Sequence, residues 1–236
     1  MPIFLDACSG ASTPYTPIWL NRQAGRYMPE YHALKGDTPS LDFFKNPSLA
    51  ARATLDAQRI LGVDAAIMFA DLLPVLEPMG LNLDYKPGVG PVFENPLRDQ
   101  QAIEALTVVP AEEGCGYIVE TLGRIRSDLP QEVALIGFAG APFTLACYAV
   151  EGKSSRNYAH VKGLMYDHEV LWQSLMDKLV DTVADYVRLQ IASGAQAIQL
   201  FDSWVGCLSL ADYERYVAPA TRRLMLSIQG KVPIIY

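Results

Sequence analysis

Positive charge is scarce in this sequence. It contains 19 Lys and Arg against 26 Asp and Glu, which gives a formal net charge of −7 and a pI of about 5.0. Generic binding to nucleic acid or to an anionic membrane needs a basic surface, so we expect neither. An anionic ligand would have to be met by a local group of cations, which makes any cluster of arginines informative.

Clustered cysteines are also missing, and the first residues do not have the pattern of a leader. The N-terminus has no basic region followed by an apolar core, so we expect no secretory signal. Widely spaced cysteines in a chain of 236 residues indicate neither a zinc cluster nor a disulfide framework, and they fit reduced thiols in a cytoplasmic protein. The four cysteines, none of which forms a Cys-x-x-Cys pair, are Cys8, Cys115, Cys147 and Cys207.

The three histidines, His32, His160 and His168, share no spacing typical of metal ligands. We expect each of them at the surface or at a helix end, and we expect no metal site.

Residues 133–150 are uncharged over a length close to that of a membrane span. Gly137, Gly140 and Pro142 interrupt this stretch, and its first half is rich in β-forming residues. We interpret it as a buried strand, a tight turn and the start of a helix, and we predict no membrane span.

Apolar runs of two kinds alternate along the chain. Short, near-continuous runs predict strands, and longer stretches with apolar residues at helical spacing predict helices. The predicted strands are residues 64–71, 133–138, 195–201 and 231–236. The predicted helices are residues 47–61, 99–106, 112–129, 142–152, 169–192 and 209–228. Residues 1–16 are expected to form an irregular arm, and the Pro- and Gly-rich residues 72–98 an excursion.

This alternation is typical of parallel strands covered by helices, and both a barrel of eight repeats and a doubly wound open sheet fit it. No Gly-x-Gly-x-x-Gly follows a strand, which disfavours a nucleotide-binding sheet. Asp71, Asp202 and Ser203 lie where strands end, and a barrel gathers such strand ends around one mouth. We therefore predict a single α/β domain over residues 1–236, a (β/α)8 TIM barrel.

The chain is short for a complete barrel, because only about half of the eight repeats can be placed in it. An open barrel exposes unpaired backbone at its last strand. We expect the barrel to be incomplete at its C-terminus, with this chain forming about the first two-thirds of a longer protein. A chain that pairs its open edge with another chain is the alternative.

Residues 18–31 place Arg22 and Arg26 on one short segment that contains Gly25 and ends near Pro29. Arginine binds carboxylates and phosphates through a rigid fork of donors, and glycine lets backbone approach a ligand closely. This pattern predicts an anchor for a polyanionic small molecule. Two arginines four residues apart on a solvated helix face are the alternative.

The whole of residues 18–31 resembles the N-terminal signature of the uroporphyrinogen decarboxylase family. The resemblance continues in order through residues 69–71, 137–145, 148–152 and 199–204. It implies a TIM barrel that converts the four acetate side chains of uroporphyrinogen III to methyl groups, giving coproporphyrinogen III in haem biosynthesis. It also implies a cytoplasmic homodimer that uses no metal or organic cofactor.

Roles for individual residues follow from the same resemblance. The expected substrate-binding residues of this segment are Arg22, Gln23, Ala24, Gly25 and Arg26. The two arginines are expected to bind substrate carboxylates, and one of them to help pass a proton. Asp71 is expected to bind the pyrrole N–H groups and to stabilise positive charge that develops on the ring. The expected catalytic residues are Asp71, Arg22 and Arg26.

Two further substrate contacts are implied, at Tyr148 and at Ser203. Tyr148 is expected to donate to Asp71 or to a substrate carboxylate, and Ser203 to contact the substrate. Taken without the resemblance, Asp71 and Ser203 fit helix caps, and Tyr148 fits the core of an apolar helix. The family also has a histidine near the end of its sequence that binds a substrate carboxylate, and no residue of this chain matches it. We therefore do not expect this chain to be fully active by itself.

Two other functions remain open at this point. Corrinoid-dependent methyltransferases share the barrel and bind zinc through His and Cys near its mouth, although no such pair is evident here. A truncated chain that binds porphyrinogen without activity is the other alternative.

Overall fold

The computed structural model describes residues 1–236 and contains two sheets. The main sheet has four parallel strands in the order β1-β4-β5-β6, and β2 and β3 form a separate antiparallel hairpin. The strands are β1 (Ala65–Ile67), β2 (Leu83–Lys86), β3 (Gly90–Phe93), β4 (Ala134–Gly140), β5 (Ala197–Phe201) and β6 (Ile234–Ile235).

Helices cover the main sheet and fill the connections between its strands, and none of them combines the length and apolarity needed to cross a bilayer. The first six are α1 (Ile3–Cys8), α2 (Pro29–Lys35), α3 (Ser40–Lys45), α4 (Pro47–Leu61), α5 (Gln100–Glu104) and α6 (Ala111–Cys115). The others are α7 (Tyr117–Asp128), α8 (Pro142–Glu151), α9 (Ala159–Asp167), α10 (Glu169–Ala192), α11 (Leu210–Tyr216) and α12 (Ala218–Ile228).

The strand order distinguishes the two predicted architectures. Each strand of the main sheet lies beside the next one in the chain, and every pairing is parallel. A doubly wound sheet reverses its order at a switch point, whereas a barrel adds strands in sequence. The fold is therefore α/β with the order of an open barrel, which confirms the predicted class.

Helix α1 corrects the expectation of an irregular arm over residues 1–16. Phe4 and Leu5 are buried in a cluster with Ala65, Ala134 and Ala197, the first residues of β1, β4 and β5. The helix therefore closes the N-terminal end of the sheet. Burying two large side chains there stabilises it by about 3 kcal/mol or more, a long-range effect that local sequence does not reveal.

Several boundaries also differ from the prediction. Helix α4 begins at Pro47, with Asn46 capping Leu49 N at 3.1 Å, as expected. The predicted helix over 112–129 is instead two helices separated at Gly116, and the one over 209–228 is two helices that meet at Val217. Helix α9 was not predicted.

The first core strand is shorter than the predicted 64–71 because the chain leaves the sheet after Ile67. Met68 N still donates to Ile136 O at 2.9 Å. Phe69 N instead donates to the hydroxyl of Thr54 on α4, at 2.8 Å. Residues 69–71 are thus turned away from the ladder, towards the end of the barrel.

A buried glutamine takes the place of the residues that would have continued β1 beside β4. Gln190 of α10 accepts from Phe138 N and donates to Phe138 O, both at 2.8 Å, and so satisfies backbone that β1 leaves unpaired. Its side chain passes over Gly137, where a Cβ would lie 2.5 Å from the Gln190 amide oxygen. Gly137 is therefore required by this close approach and serves packing.

We expect Gly137→Ala to lower the free energy of unfolding by about 1–3 kcal/mol, because the methyl group overlaps the Gln190 amide. Urea denaturation measures this change. Gly123→Ala on α7 is the matched control, since a Cβ there meets nothing within 4 Å. The control should gain up to about 1 kcal/mol of helix stability. Equal stability of both variants would contradict this account of Gly137.

Candidate active site

The C-terminal ends of the main strands meet at one edge. Gly140 at the end of β4 pairs with Phe201 at the end of β5, and Ala141 N donates to Phe201 O at 2.8 Å. Residues that follow these strands therefore emerge side by side, as at a barrel mouth. Asp71 follows β1, Tyr148 lies on the helix after β4, and Ser203 follows β5.

Asp71 is positioned by the aromatic residues before it and by its own turn. The Phe69 ring packs 5.5 Å from Phe43 and 5.4 Å from Tyr31, between centroids. One carboxylate oxygen of Asp71 accepts from Leu73 N at 3.0 Å, which makes a local Asx turn. One oxygen is thus used in the turn, and the other remains for a ligand or a neighbouring donor.

The protein surroundings disfavour a charge on Asp71. Burial raises the pKa of Asp71, and the Leu73 N–H, the Tyr85 hydroxyl and the Arg22 charge partly oppose that rise. Aspartate in such a place stabilises a cation more strongly than it could in water, because the local dielectric constant is low.

Arg22 lies near both Asp71 and Tyr148. Its positive charge lowers the pKa of each of these groups against the rise caused by burial. The Arg22 backbone has a φ of 59°, in the left-handed region, which costs a non-glycine residue about 1 kcal/mol or more. Its side chain is exposed, so the guanidinium is available to a ligand.

Gln23 anchors the arginine loop. Its side chain is 1% exposed, donates to Ala65 O at 2.7 Å and accepts from Ile67 N at 3.2 Å. These bonds pair the backbone groups of β1 on its outer edge, the edge that faces away from β4. The Gln23 side chain is therefore not open to a ligand, whereas the backbone of the half-buried Ala24 and Gly25 lies in the same loop.

Arg26 is exposed and lies on the same loop, but it is not among the groups that act on the pKa of Asp71. The Arg26 charge instead lowers the pKa of Tyr31, which burial raises, and its carbonyl contacts His32 Nε2 at 2.7 Å. The two arginines therefore occupy different surroundings.

Tyr148 is the one residue of α8 that is not fully buried. Its ring lies 5.6 Å from that of Trp204, between centroids. Burial and the nearby Asp71 charge raise the pKa of Tyr148, so the phenol remains a proton-bearing donor at neutral pH. The expected alternative, a core tyrosine, accounts for the packing of the ring but not for its partial exposure.

The segment that contains Ser203 is hydrogen-bonded to α8. Thr144 donates to Asp202 Oδ1 at 2.7 Å and accepts from Trp204 N at 3.2 Å, and the Tyr236 hydroxyl donates to Asp202 Oδ2 at 2.8 Å. Ser203 itself is exposed. Its neighbours hold it on the same side of the molecule as Tyr148.

Two residues near the site were missed by the sequence reasoning. These are Trp204, which packs on Tyr148, and Tyr85, which lies in the excursion after Asp71, and no signal in the sequence points to either. Across residues 1–236 no three His, Cys, Asp or Glu side chains gather in a way that could hold a metal ion.

Comparison with known proteins gives the relatives of this chain. The family model described as "Uroporphyrinogen decarboxylase (URO-D)" matches residues 1–236. A uroporphyrinogen decarboxylase of Geobacter metallireducens is 49% identical over 234 residues, covering 99% of this chain and 68% of the relative. One from Desulfotalea psychrophila is 44% identical over the same lengths.

Among solved structures, a methyltransferase from Methanosarcina mazei matches with a TM-score of 0.77 at 16% identity, covering 96% of this chain and 66% of that one. This match shows the fold alone. The chain spans about two-thirds of the length of each of these proteins. On the match along its entire length and the identity to curated relatives, this chain belongs to the uroporphyrinogen decarboxylase family.

Proposed function

We propose that this chain, when extended by the C-terminal part that its relatives have, converts uroporphyrinogen III to coproporphyrinogen III. The reaction removes carbon dioxide from the four acetate side chains of the substrate. The observation that carries the proposal is the placement of Asp71, a partly buried carboxylate at the barrel mouth with Arg22 and Tyr148 beside it. The names of the relatives support the same substrate.

Decarboxylation of a pyrrole acetate leaves an electron pair that needs an acceptor. Protonation of the ring carbon next to nitrogen makes a cationic ring, which accepts the pair as the C–C bond breaks. A second proton then completes the methyl group, and the ring carbon gives up the first proton to restore the pyrrole, so that one proton is consumed for each carbon dioxide released. The protein must hold the macrocycle, stabilise the cation and deliver protons, and the ring itself serves as the electron acceptor.

Asp71 suits the first two tasks, because its free oxygen can accept from pyrrole N–H groups and its charge opposes that of the cationic ring. Arg22 and Arg26 would bind substrate carboxylates with their donor forks. The reacting acetate should lie away from both, since a strong cation stabilises the starting carboxylate more than the transition state.

The other proposed contacts surround these groups. Tyr148 would donate to Asp71 or to a substrate carboxylate, and Ser203 would donate from the neighbouring strand end. Ala24 and Gly25 would offer backbone to the substrate. Gln23 would act by fixing the loop, because its own amide is bonded to β1.

The assembly is part of the same proposal. We propose a single barrel domain that is completed by further repeats, a homodimer and a cytoplasmic location. The methyltransferase with the same fold does not favour a second function, because its 16% identity extends no further than the fold.

Anaerobic incubation of uroporphyrinogen III with a chain extended to the relatives' length tests the proposal. Separation of the products should show porphyrinogens with progressively fewer carboxylates, ending at coproporphyrinogen. Unchanged substrate with folded protein would overturn it. Tight binding without loss of carbon dioxide would instead support the non-catalytic binding alternative.

Asp71→Asn should lower kcat by about 100- to 1,000-fold, the usual cost of removing a main electrostatic stabiliser. The same change should raise the free energy of unfolding by up to about 1 kcal/mol, since a neutral amide avoids the cost of a buried charge. Product analysis and urea denaturation measure the two effects. Asp128→Asn, on an exposed residue at the end of α7, should change neither.

The activity should fall as the pH is lowered through the pKa of Asp71, because protonation removes the negative charge. Burial raises that pKa, so the acid limb of kcat/KM should lie above the range of an ordinary aspartate. Arg22→Gln should move the limb to higher pH, since the arginine lowers the pKa of Asp71.

Arg26→Gln is the matched control for that pH shift. Each of the two substitutions should weaken substrate binding by about tenfold, but only Arg22→Gln should move the acid limb. Identical pH profiles for the two variants would contradict the separate surroundings that the structure gives these arginines.

A further inference from the structure

The hairpin that follows Asp71 brings a tyrosine to the carboxylate. Strands β2 and β3 pair with Leu83 opposite Phe93 and Tyr85 opposite Pro91. Leu83 and Phe93 are buried in the main core and fix the hairpin on the barrel. The ring of Tyr85 packs edge-on against Phe44 of α3, with centroids 5.4 Å apart.

The hydroxyl of Tyr85 is buried and has no completed hydrogen bond. Phe44 in turn packs 5.7 Å from Phe69, between centroids, and Phe69 is two residues before Asp71. The Tyr85 ring is therefore in the neighbourhood of Asp71, whose charge adds to burial in raising the pKa of Tyr85. A buried hydroxyl left unpartnered carries an energetic cost, because it has lost its hydrogen bonds to water and gained none in return. The Asp71 carboxylate is the acceptor that relieves this cost with a small movement.

The chemical state of Tyr85 limits what it can do. Burial and the charge of Asp71 raise the pKa of Tyr85 far above its ordinary value, so it keeps its proton throughout the working range. It is therefore a permanent neutral donor and too weak an acid to supply a proton to the reaction.

The other ionisable groups near Asp71 do not duplicate this role. Glu77 is paired with Lys45 at 2.7 Å, which places its charge against a cation. The ionisable groups whose charges act on Asp71 or Tyr85, or are acted on by them, come from five other parts of the chain. They are Arg22 on the loop, Glu77 after the short 3-10 helix Pro74–Leu76, Tyr117 on α7, Tyr148 on α8 and Tyr186 on α10.

We propose that Tyr85 is a positioning residue for Asp71, donating its hydroxyl to the carboxylate and fixing the orientation in which it meets a ligand. Leu73 N already holds one oxygen at 3.0 Å, so a second donor leaves a single orientation of the group. The value of that orientation to substrate binding rests on the proposed function. The pairing of Tyr85 with Asp71 does not.

Removing this donor should make Asp71 easier to protonate. Of the groups that oppose the effect of burial, Tyr85 is the strongest side chain, ahead of Arg22. Tyr85→Phe keeps the ring and its contact with Phe44, and deletes only the hydroxyl. The titration midpoint of Asp71 should then move to higher pH.

The test uses the 236-residue chain itself with 13C-labelled aspartate, and follows the carboxyl resonances by NMR as the pH is changed. The Asp71 resonance is the one that is absent from Asp71→Asn. Tyr117→Phe is the matched control, because Tyr117 is a half-buried tyrosine that is not among the groups acting on the pKa of Asp71.

A rise in the Asp71 midpoint in Tyr85→Phe, with little change in Tyr117→Phe, supports the proposal. An unchanged midpoint in Tyr85→Phe, or an equal shift in both variants, overturns it. Tyr85→Met, which also lacks the hydroxyl, gives the same decision if the first variant folds poorly. No turnover is needed for this measurement, so the proposed decarboxylation can fail while the pairing stands, and the reverse.

Discussion

The candidate site depends on one carboxylate, that of Asp71, in surroundings that disfavour its negative charge. Asp71 follows the first core strand two residues after Phe69, which packs against Phe43, and burial raises the pKa of Asp71. Its nearby donors only partly offset that effect. Such a group is costly when the site is empty and becomes favourable when a cation is placed against it. The proposed reaction passes through a cationic ring and so provides that partner.

The frame around Asp71 supports this arrangement through polar side chains that replace strand pairing. Thr54 draws residue 69 away from the sheet, Gln190 satisfies the backbone of β4 that is left behind, and Gln23 satisfies the outer edge of β1. Each of the three is almost completely buried. Together they allow the first core strand to end early and its carboxylate to face the mouth, without leaving backbone groups unpaired.

Periodicity in the sequence was enough to predict the class of fold and several elements closely. Helix α10 occupies the predicted residues 169–192, and Pro47 and Gly62 mark the limits of α4. The failures were long-range: Phe4 and Leu5 form a helix because the open ends of distant strands bury them. Neither that contact nor the interruption at Gly116 is visible as a local pattern.

The sequence names candidate residues for the site, and their roles stay a proposal. The charges of Asp71 and Arg22 both act on the pKa of Tyr148, which indicates that the three groups are near one another. The sequence could not show that the Gln23 amide is used by β1, that Arg26 faces Tyr31, or that Tyr85 reaches Asp71. Each of these depends on how a loop or hairpin folds back over the barrel, which residue spacing does not determine.

A crystal structure of the family-length protein with coproporphyrinogen bound tests the central claim most directly. The account predicts that pyrrole nitrogens lie about 3 Å from the carboxylate of Asp71, with Arg22 on a carboxylate of the macrocycle. A macrocycle held elsewhere, with no pyrrole nitrogen within hydrogen-bonding distance of Asp71, would contradict it.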